Sequence, residues 1–595
     1  MCGIFGIIDK KNKIKASELQ KAINTVHHRG PDGEGFYIKN NIGFAHKRLS
    51  IFDLSEKGAQ PMHYDDLVIV FNGAIYNFVE LKEELVNYGY KFNTKTDTEV
   101  ILAAYDKWGE KCVRHFNGMW AFAIHDTKNN LIFCSRDRYG IKPFYYTEIK
   151  SKFCFASEIK EFTVLEGWEA RINKNTVLDF LINNYLDFND ETFFKDVYKL
   201  RKGHNLIYNI KNNTYKTYEY YSLKNKKNIK NVDFNEEKQK FLLLLSDAVK
   251  LRLRANVEVG ATLSGGLDST SIISIISALH KRNIRTVSSY FKEKDYDEEK
   301  WIDAVINKYQ LQSHKISPDL DKIFEVFDEL IWYQDEPFQS ISIFTQFKVF
   351  ELANRYNLKV LLSGQGADEI LSGYEKFYFQ IYKNLFKKNP FEAIKEIVLF
   401  FSKHSINPFK AINLLIKNIF VKPQHFPEWI NSDIADTKLF ERSSENNAQD
   451  VSVNLIYEVG LSSMLHSEDR NSMAFSIESR LPFLDYRIVE EAMSLPDNFK
   501  IRKGIRKYIL REALKEILPK EVYQRYDKLG YPTPQKKWYD KNKEKIQSEL
   551  KKNYKYLDKI VNDKIFSIED DKIIWRLLSL ARWIKIFDVN TKSLQ

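Results

Sequence analysis

A cysteine directly follows the initiator methionine, in MCGIFGI, in a chain that has only four cysteines. With the methionine removed, as is usual before a small side chain, the Cys2 thiol lies beside a free α-amino group. That amine has an ordinary pKa of about 8 and can act as the thiol's own base. The plain alternative is an inert cysteine in a buried first strand. Amide cleavage also needs an oxyanion hole, an anchor for a substrate carboxylate and an acceptor for a substrate ammonium. NGAIYN puts Asn72 and Gly73 in an expected turn, where a side-chain amide and a backbone N–H can converge on an oxyanion. HKRLSIFD supplies Arg48 as a fork for a carboxylate. TKTDTEVILAAY puts Asp97 at a helix entrance, where capping alone would also explain it.

A second group of residues suits phosphate. LSGGLDST places Leu263, Ser264, Gly265, Gly266, Ser269 and Thr270 between an apolar strand and a helix. Small side chains, backbone N–H groups and hydroxyls at a helix N-terminus favour an anion. Asp268 adds a carboxylate suited to Mg²⁺. The Walker pattern and the dinucleotide fingerprint are both absent from this loop. The full S-G-G-x-D-S string looks like the pyrophosphate loop of enzymes that cleave ATP between its α- and β-phosphates. A later loop, SGQGADE, adds Ser363, Gly364, Asp368 and Glu369, with Asp368 as a second candidate metal ligand. Ser289, ending the strand in RTVSSYF, is grouped with the ATP site.

These residues need scaffolds. At 595 residues the chain exceeds what one core usually supports, so two or more domains are expected. Residues 1–210 read as short apolar strands separated by the turn signals RGPDGEG, FNGAIYN and RDRYGIKPFYY, with an amphipathic helix in NFVELKEELVNYG that stops at Gly89. The polar stretch YSLKNKKNIKNVDFNEEK is the best linker. Beyond it, strands alternate with helices: EEKQKFLLLLSDAVKLRL is a helix, while VEVGATLSGGLDSTSIISIIS and LKVLLSGQGADEILSGY each read strand, glycine loop, helix. That order implies a mostly parallel sheet covered on both faces. The expected domains are therefore 2–215, a linker 216–235, and 236–595.

Residues 389–421 read as one or two amphipathic helices with basic faces, packed on the core or, less simply, against a membrane surface. The net charge of +11 comes from lysines interleaved with acidic residues, which argues against nucleic acid. Four cysteines are too few for a disulfide framework, no secretory signal is read, and no apolar run approaches the roughly 20 residues of a membrane span. The expectation is a cytoplasmic enzyme.

MCGIFGI, HRGPDG, RLSIFD, FNGAIYN, TDTEV, RDRYGIKPFYY and FASEIKEF, in this order, resemble the class II glutamine amidotransferase domain of glutamine-hydrolysing asparagine synthetases. The resemblance continues through the SGGLDS loop, DEPF at Asp335, EDRNSMAFSIESRLPFLD and RKYILREAL near Lys507, covering nearly the whole chain. It implies an α+β N-terminal-nucleophile sandwich followed by an α/β parallel-sheet ATP-pyrophosphatase domain. Cys2 would attack the side-chain amide of glutamine, Asn72 and Gly73 would form the oxyanion hole, and Arg48 and Asp97 would hold the α-carboxylate and α-ammonium. ATP and Mg²⁺ would bind at the Ser264–Ser269 loop, aspartate would be adenylated, and ammonia would displace AMP, with glutamate and pyrophosphate as the other products. Lys528, in QRYDKLGYPTP, matches the family lysine that stabilises the phosphates. The resemblance also leads to expect an apolar ammonia tunnel, and leaves a homodimer open.

Two departures bear on substrate. Ala74 stands where the family commonly has glutamate. In relatives with SGEGSDE, the first glutamate is a candidate base for the ammonia adduct, whereas this chain has Gln365, which cannot accept a proton. Either Asp368 or Glu369 takes that proton, or the acceptor is another carboxylate, such as a cell-wall or surface-polysaccharide precursor.

Overall fold

The structure, a computed structural model, describes residues 2–223, 232–293, 295–404, 426–435, 437–526 and 533–594. The first half has twelve strands: β1 (Gly3–Asp9), β2 (Gly33–Lys39), β3 (Ile42–Arg48), β4 (Met62–Tyr64), β5 (Leu67–Ile75), β6 (Gly118–Asp126), β7 (Leu131–Arg136), β8 (Tyr145–Ile149), β9 (Lys152–Ala156), β10 (Val197–Lys199), β11 (His204–Asn209) and β12 (Thr214–Glu219). They form two antiparallel sheets, ordered β10-β8-β9-β1-β3-β2 and β12-β11-β7-β6-β5-β4.

Side chains alternate between the faces of a strand, so each strand divides its apolar residues between two cores. Ile4 and Ile8 of β1 meet Val70 of β5 and Ala121 of β6 between the sheets. Phe5 and Ile7 face outward onto Leu19, Ala22 and Ile23 of the helix Ala16–Asn24. On the far side, Phe71 and Trp120 pack on Val100 and Ile101 of the helix Asp97–Trp108. The result is a helix–sheet–sheet–helix sandwich, as the α+β reading requires. The same alternation carries the functional residues. Cys2 continues the inner face of Ile4, and Asn72 continues that of Val70, so the two meet between the sheets.

Asn72 and Gly73 are not in a turn. Both lie inside β5, opposite Ala121 and Trp120 of β6. A Cβ on Gly73 would come within 2.2 Å of the Met119 carbonyl. The glycine serves close strand approach rather than chain reversal, and the long apolar run on both sides of Asn72-Gly73 is what carries the strand through. Gly89 does follow the helix Phe78–Asn87, at φ +95.

The second half is a parallel sheet of β13 (Val259–Thr262), β14 (Arg285–Ser289), β15 (Ser313–Ile316), β16 (Val360–Leu362) and β17 (Glu478–Arg480) in the order β15-β14-β13-β16-β17. Strand order reverses between β13 and β16, and ligands of such sheets bind beyond the strand ends at the reversal. The two glycine loops leave the sheet there. A single apolar cluster runs from Leu49, Tyr76 and Met119 of the first half into Leu263, Leu362 and Phe483 of the second.

β12 reaches Glu219, inside the stretch expected as linker, and residues 224–231 lie outside the described residues. Of the helices expected over 389–421, the described part is Pro390–His404. One face of it packs inward, with Glu396 accepting from the backbone of Lys503 and Gly504, while Phe391, Ile394 and Val398 are exposed. Among the described residues no helix is long and apolar enough to cross a membrane.

Candidate active sites

At the first site, Cys2 is buried and its backbone N–H donates to Asn72 Oδ1 at 3.1 Å. Burial pushes the Cys2 thiol up, against a hydrogen bond from the Leu49 N–H and the charge of Arg48. Fixing Asn72 Oδ1 on the nucleophile's own backbone turns the amide nitrogen the other way. Asn72 is fully buried and its Nδ2 has no hydrogen-bond partner. An idle buried donor of this kind costs about 1–3 kcal/mol. A buried donor of this kind beside a thiol is able to receive an oxyanion.

Arg48, ending β3, donates to the carbonyls of Ser55 and Asp53, which hold its guanidinium against the 53–58 loop. Asp97 opens the helix Asp97–Trp108, but the capping side chain is that of Thr96, which accepts from the Glu99 N–H. Asp97 instead accepts from the Ile75 N–H at 2.9 Å, and burial raises its pKa to about 7. Capping therefore does not account for Asp97. The structure thus gathers Cys2, Asn72, Gly73, Arg48 and Asp97 around the ends of β1, β3 and β5.

Several residues of the motifs quoted above, none of them singled out there as a site residue, turn out to join the halves. Arg29 donates to the Cys2 carbonyl at 3.0 Å and pairs with Glu158 at 2.6 Å and with Asp469, from the second half, at 2.8 Å. Lys142 reaches Asp469 at 3.3 Å. Lys160 pairs with Asp335 at 2.9 Å, and Arg470 with the same carboxylate at 3.1 Å. All are buried. Although buried, Asp469 has its proton affinity driven down by Arg29 and Lys142. The motif signal was present for each of these residues, but nothing in the linear order showed which of them touch.

At the second site, the loop 263–266 turns through Gly265 at φ +67, a conformation that suits glycine. Ser269 Oγ accepts from the Ser264 N–H at 3.2 Å and lies 3.1 Å from Ser264 Oγ. The second loop packs on the first so closely that a Cβ on Gly364 would meet the Ser269 N at 2.9 Å. Between them opens a cavity of about 550 Å³, lined by Leu263, Ser264, Gly266, Asp268, Ser269, Ser289, Ser363, Gly364, Gln365 and Asp368. Gly265 is absent from that lining and instead accepts from Arg525 through its carbonyl.

Lys507 stands between the carboxylates, 2.6 Å from both Asp268 oxygens and 2.6 Å from Asp368. Their charges raise its pKa against burial, which acts the other way. A cation is thus already favoured between Asp268 and Asp368, and two hard carboxylate donors converging on one point fit Mg²⁺. Arg506, Arg511 and Arg525 also line the cavity, a density of positive charge that composition did not reveal. Burial lowers Arg511 to about 10. Lys528 lies outside the described residues.

A family profile described as "Glutamine amidotransferase domain" matches residues 1–221, and one described as "Asparagine synthase" matches residues 240–585. A Methanocaldococcus jannaschii protein named "Putative asparagine synthetase [glutamine-hydrolyzing] 2" is 36% identical over 72% of this chain and 90% of its own length. "Asparagine synthetase [glutamine-hydrolyzing] 1" of Bacillus subtilis is 31% identical over 90% of this chain and 88% of its own. "Amidase chyE" of Penicillium rubens is 26% identical over 98% of both chains.

Proposed function

We propose how a chain that belongs to the glutamine-hydrolysing asparagine synthetase family makes an amide at two coupled sites. It is a glutamine-dependent amidotransferase of the asparagine synthetase type. The observation that carries the detailed reading is the pairing of an idle oxyanion donor, Asn72 Nδ2, with a nucleophile pinned by the same side chain.

Glutamine enters with its α-carboxylate on Arg48 and its α-ammonium on Asp97. The Cys2 amine, freed by loss of Met1, takes the thiol proton, and sulfur attacks the side-chain amide carbon. Asn72 Nδ2 and the Gly73 N–H receive the oxyanion, ammonia leaves, and water releases glutamate.

In the second cavity the backbone of 263–266 and the hydroxyls of Ser264 and Ser269 cradle the ATP phosphates, with Ser289, Ser363 and Gly364 along the same wall. Lys507 and Lys528 neutralise charge that builds on the leaving pyrophosphate. Asp268 and Asp368 would hold Mg²⁺, which would supply positive charge against the phosphates. The acceptor carboxylate attacks the α-phosphate to give an acyl-adenylate, and ammonia displaces AMP.

Aspartate is the first acceptor to test, since the family name rests on it. Gln365, which lines the cavity, and the relative named an amidase favour a second reading in which another carboxylate, such as a cell-wall or surface-polysaccharide precursor, is amidated. Glutamine-dependent pyrophosphate release across a panel of carboxylates decides. Release with aspartate is the expected result; none with aspartate and clear release with a uronic acid or a peptidoglycan precursor moves the assignment to the second reading.

A further inference from the structure

The carboxylates of the loop that lacks the family's glutamate are already engaged. Asp368 is paired with Lys507 at 2.6 Å, and Glu369, 1% exposed, accepts from the Tyr374 hydroxyl. A third carboxylate, on a different element, lies close to Ser363 and Gln365 of this loop. The helix Leu461–Met473 lays Met464 and Ser467 along the cavity wall, and Glu468 follows Met464 by four residues on the same face. Glu468 is 3% exposed. Its Oε1 accepts from Ser479 Oγ at 2.5 Å, and Ser363 and Gln365 lie close enough to favour its charged form.

We infer that Glu468 is the proton acceptor of the amidation step, a carboxylate delivered beside Gln365 by the helix 461–473 in place of one on the loop. This rests on the reading above that the cavity forms an acyl-adenylate. The ammonia lone pair makes the new C–N bond, and the bond from the acyl carbon to the AMP oxygen breaks with its electron pair leaving on AMP. The surplus proton on nitrogen passes to Glu468 and from there to water. Burial raises the proton affinity of Glu468, opposed by Ser479, Ser363, Gln365 and the charge of Lys142. The other charged groups about it are Asp469 and Arg470 on its own helix and Glu478 and Arg480 flanking Ser479 on β17. Its helix also faces the first site through Asp469, which holds Arg29 and Lys142. The proton acceptor thus stands on the element that lies between the source of ammonia and its target.

The test uses the full chain, ammonium chloride as donor and the acceptor that the wild type turns over, aspartate first. In Glu468→Gln, amide formation should fall by about 100-fold or more, the range of a lost general base. ATP–pyrophosphate exchange with that acceptor, which precedes proton loss, should stay within about threefold, and the acid limb of the kcat profile should disappear. Moving the carboxylate back, in Gln365→Glu combined with Glu468→Gln, should recover at least about tenfold of the loss, which a merely structural role would not allow. Amide formation within threefold of wild type in Glu468→Gln overturns the inference. So does a fall in exchange that matches the fall in amide formation with no recovery in the double variant. A wild type that amidates no carboxylate at all overturns the reading beneath it as well.

Discussion

The two reaction centres are built on opposite plans. Around Cys2 the groups are held by backbone: Asn72 sits inside a strand, Cys2 is tied to it through a main-chain N–H, and Arg48 is clasped by two carbonyls. Around the second cavity the charged groups hold one another, with Lys507 between Asp268 and Asp368 and Arg525 against Glu298. A site fixed by backbone is preorganised for one charge distribution, which in the proposed mechanism is a single oxyanion. Side-chain pairs can exchange partners when phosphate and a metal arrive, at the cost of rearrangement. The contrast suits chemistry that handles one neutral amide in the first site and a polyanion in the second.

The sharpest way to break this comparison is to delete one centre and watch the other. Cys2→Ala should lower glutamine-dependent amidation by at least about 10³-fold, since it removes the sulfur that carries the covalent intermediate in the proposed mechanism. Amidation with added ammonia should stay within about threefold. The mirror variant, Asp268→Ala, should stop pyrophosphate release while glutamine hydrolysis continues. Parallel loss of both activities in well-folded Cys2→Ala would mean that the centres are not separable.

A middle-sized effect is expected at the seam. Asp469→Ala leaves Arg29 with Glu158 alone and Lys142 without its carboxylate, all inside the protein. Breaking a buried pair from one side costs about 3–5 kcal/mol. We expect a lower unfolding midpoint in denaturant and more glutamine hydrolysed per amide formed, because Arg29 also holds the Cys2 carbonyl. An unchanged midpoint together with unchanged coupling would show that the network is dispensable.

That seam also marks how far the sequence could be read. Alternating strands and helices around SGGLDS announced a parallel sheet, and β13, the loop and the helix Leu267–Ser274 stand where the pattern puts them. Local spacing suffices there, because strand, loop and helix are neighbours in the chain. Asn72 and Gly73 were legible as chemistry but not as geometry: an Asn-Gly pair reads as a turn unless the partner strand, some 50 residues away, is known. Arg29, Glu158, Asp335 and Asp469 are each ordinary charges in isolation. Their meaning lies in contacts as far as 440 residues apart in the chain, which no local period encodes. Glu468 was hidden for the same reason, one more acidic residue until the fold set it beside Gln365.

The smallest and most specific test concerns Asp97, which shows that even the backbone-held centre keeps one adjustable charge. Its pKa is raised to about 7 by burial, against the hydrogen bond from the Ile75 N–H. A carboxyl raised in the folded state stabilises the protein below the unfolded value of about 4, and that contribution is lost as the pH climbs through about 7. Below pH 7 the empty site therefore holds a neutral carboxylic acid, which cannot attract an ammonium. The KM for glutamine should rise by about tenfold per pH unit below 7, the slope of a single proton competing with substrate, while the KM for ammonia stays level. In Asp97→Asn the KM for glutamine should be high and flat across the same range, and the variant should gain stability at pH 8 relative to pH 5 when each is compared with wild type. A wild-type KM for glutamine that does not change between pH 5.5 and 7.5 would remove Asp97 from ammonium binding and leave it the structural task of holding the Ile75 N–H at the end of β5.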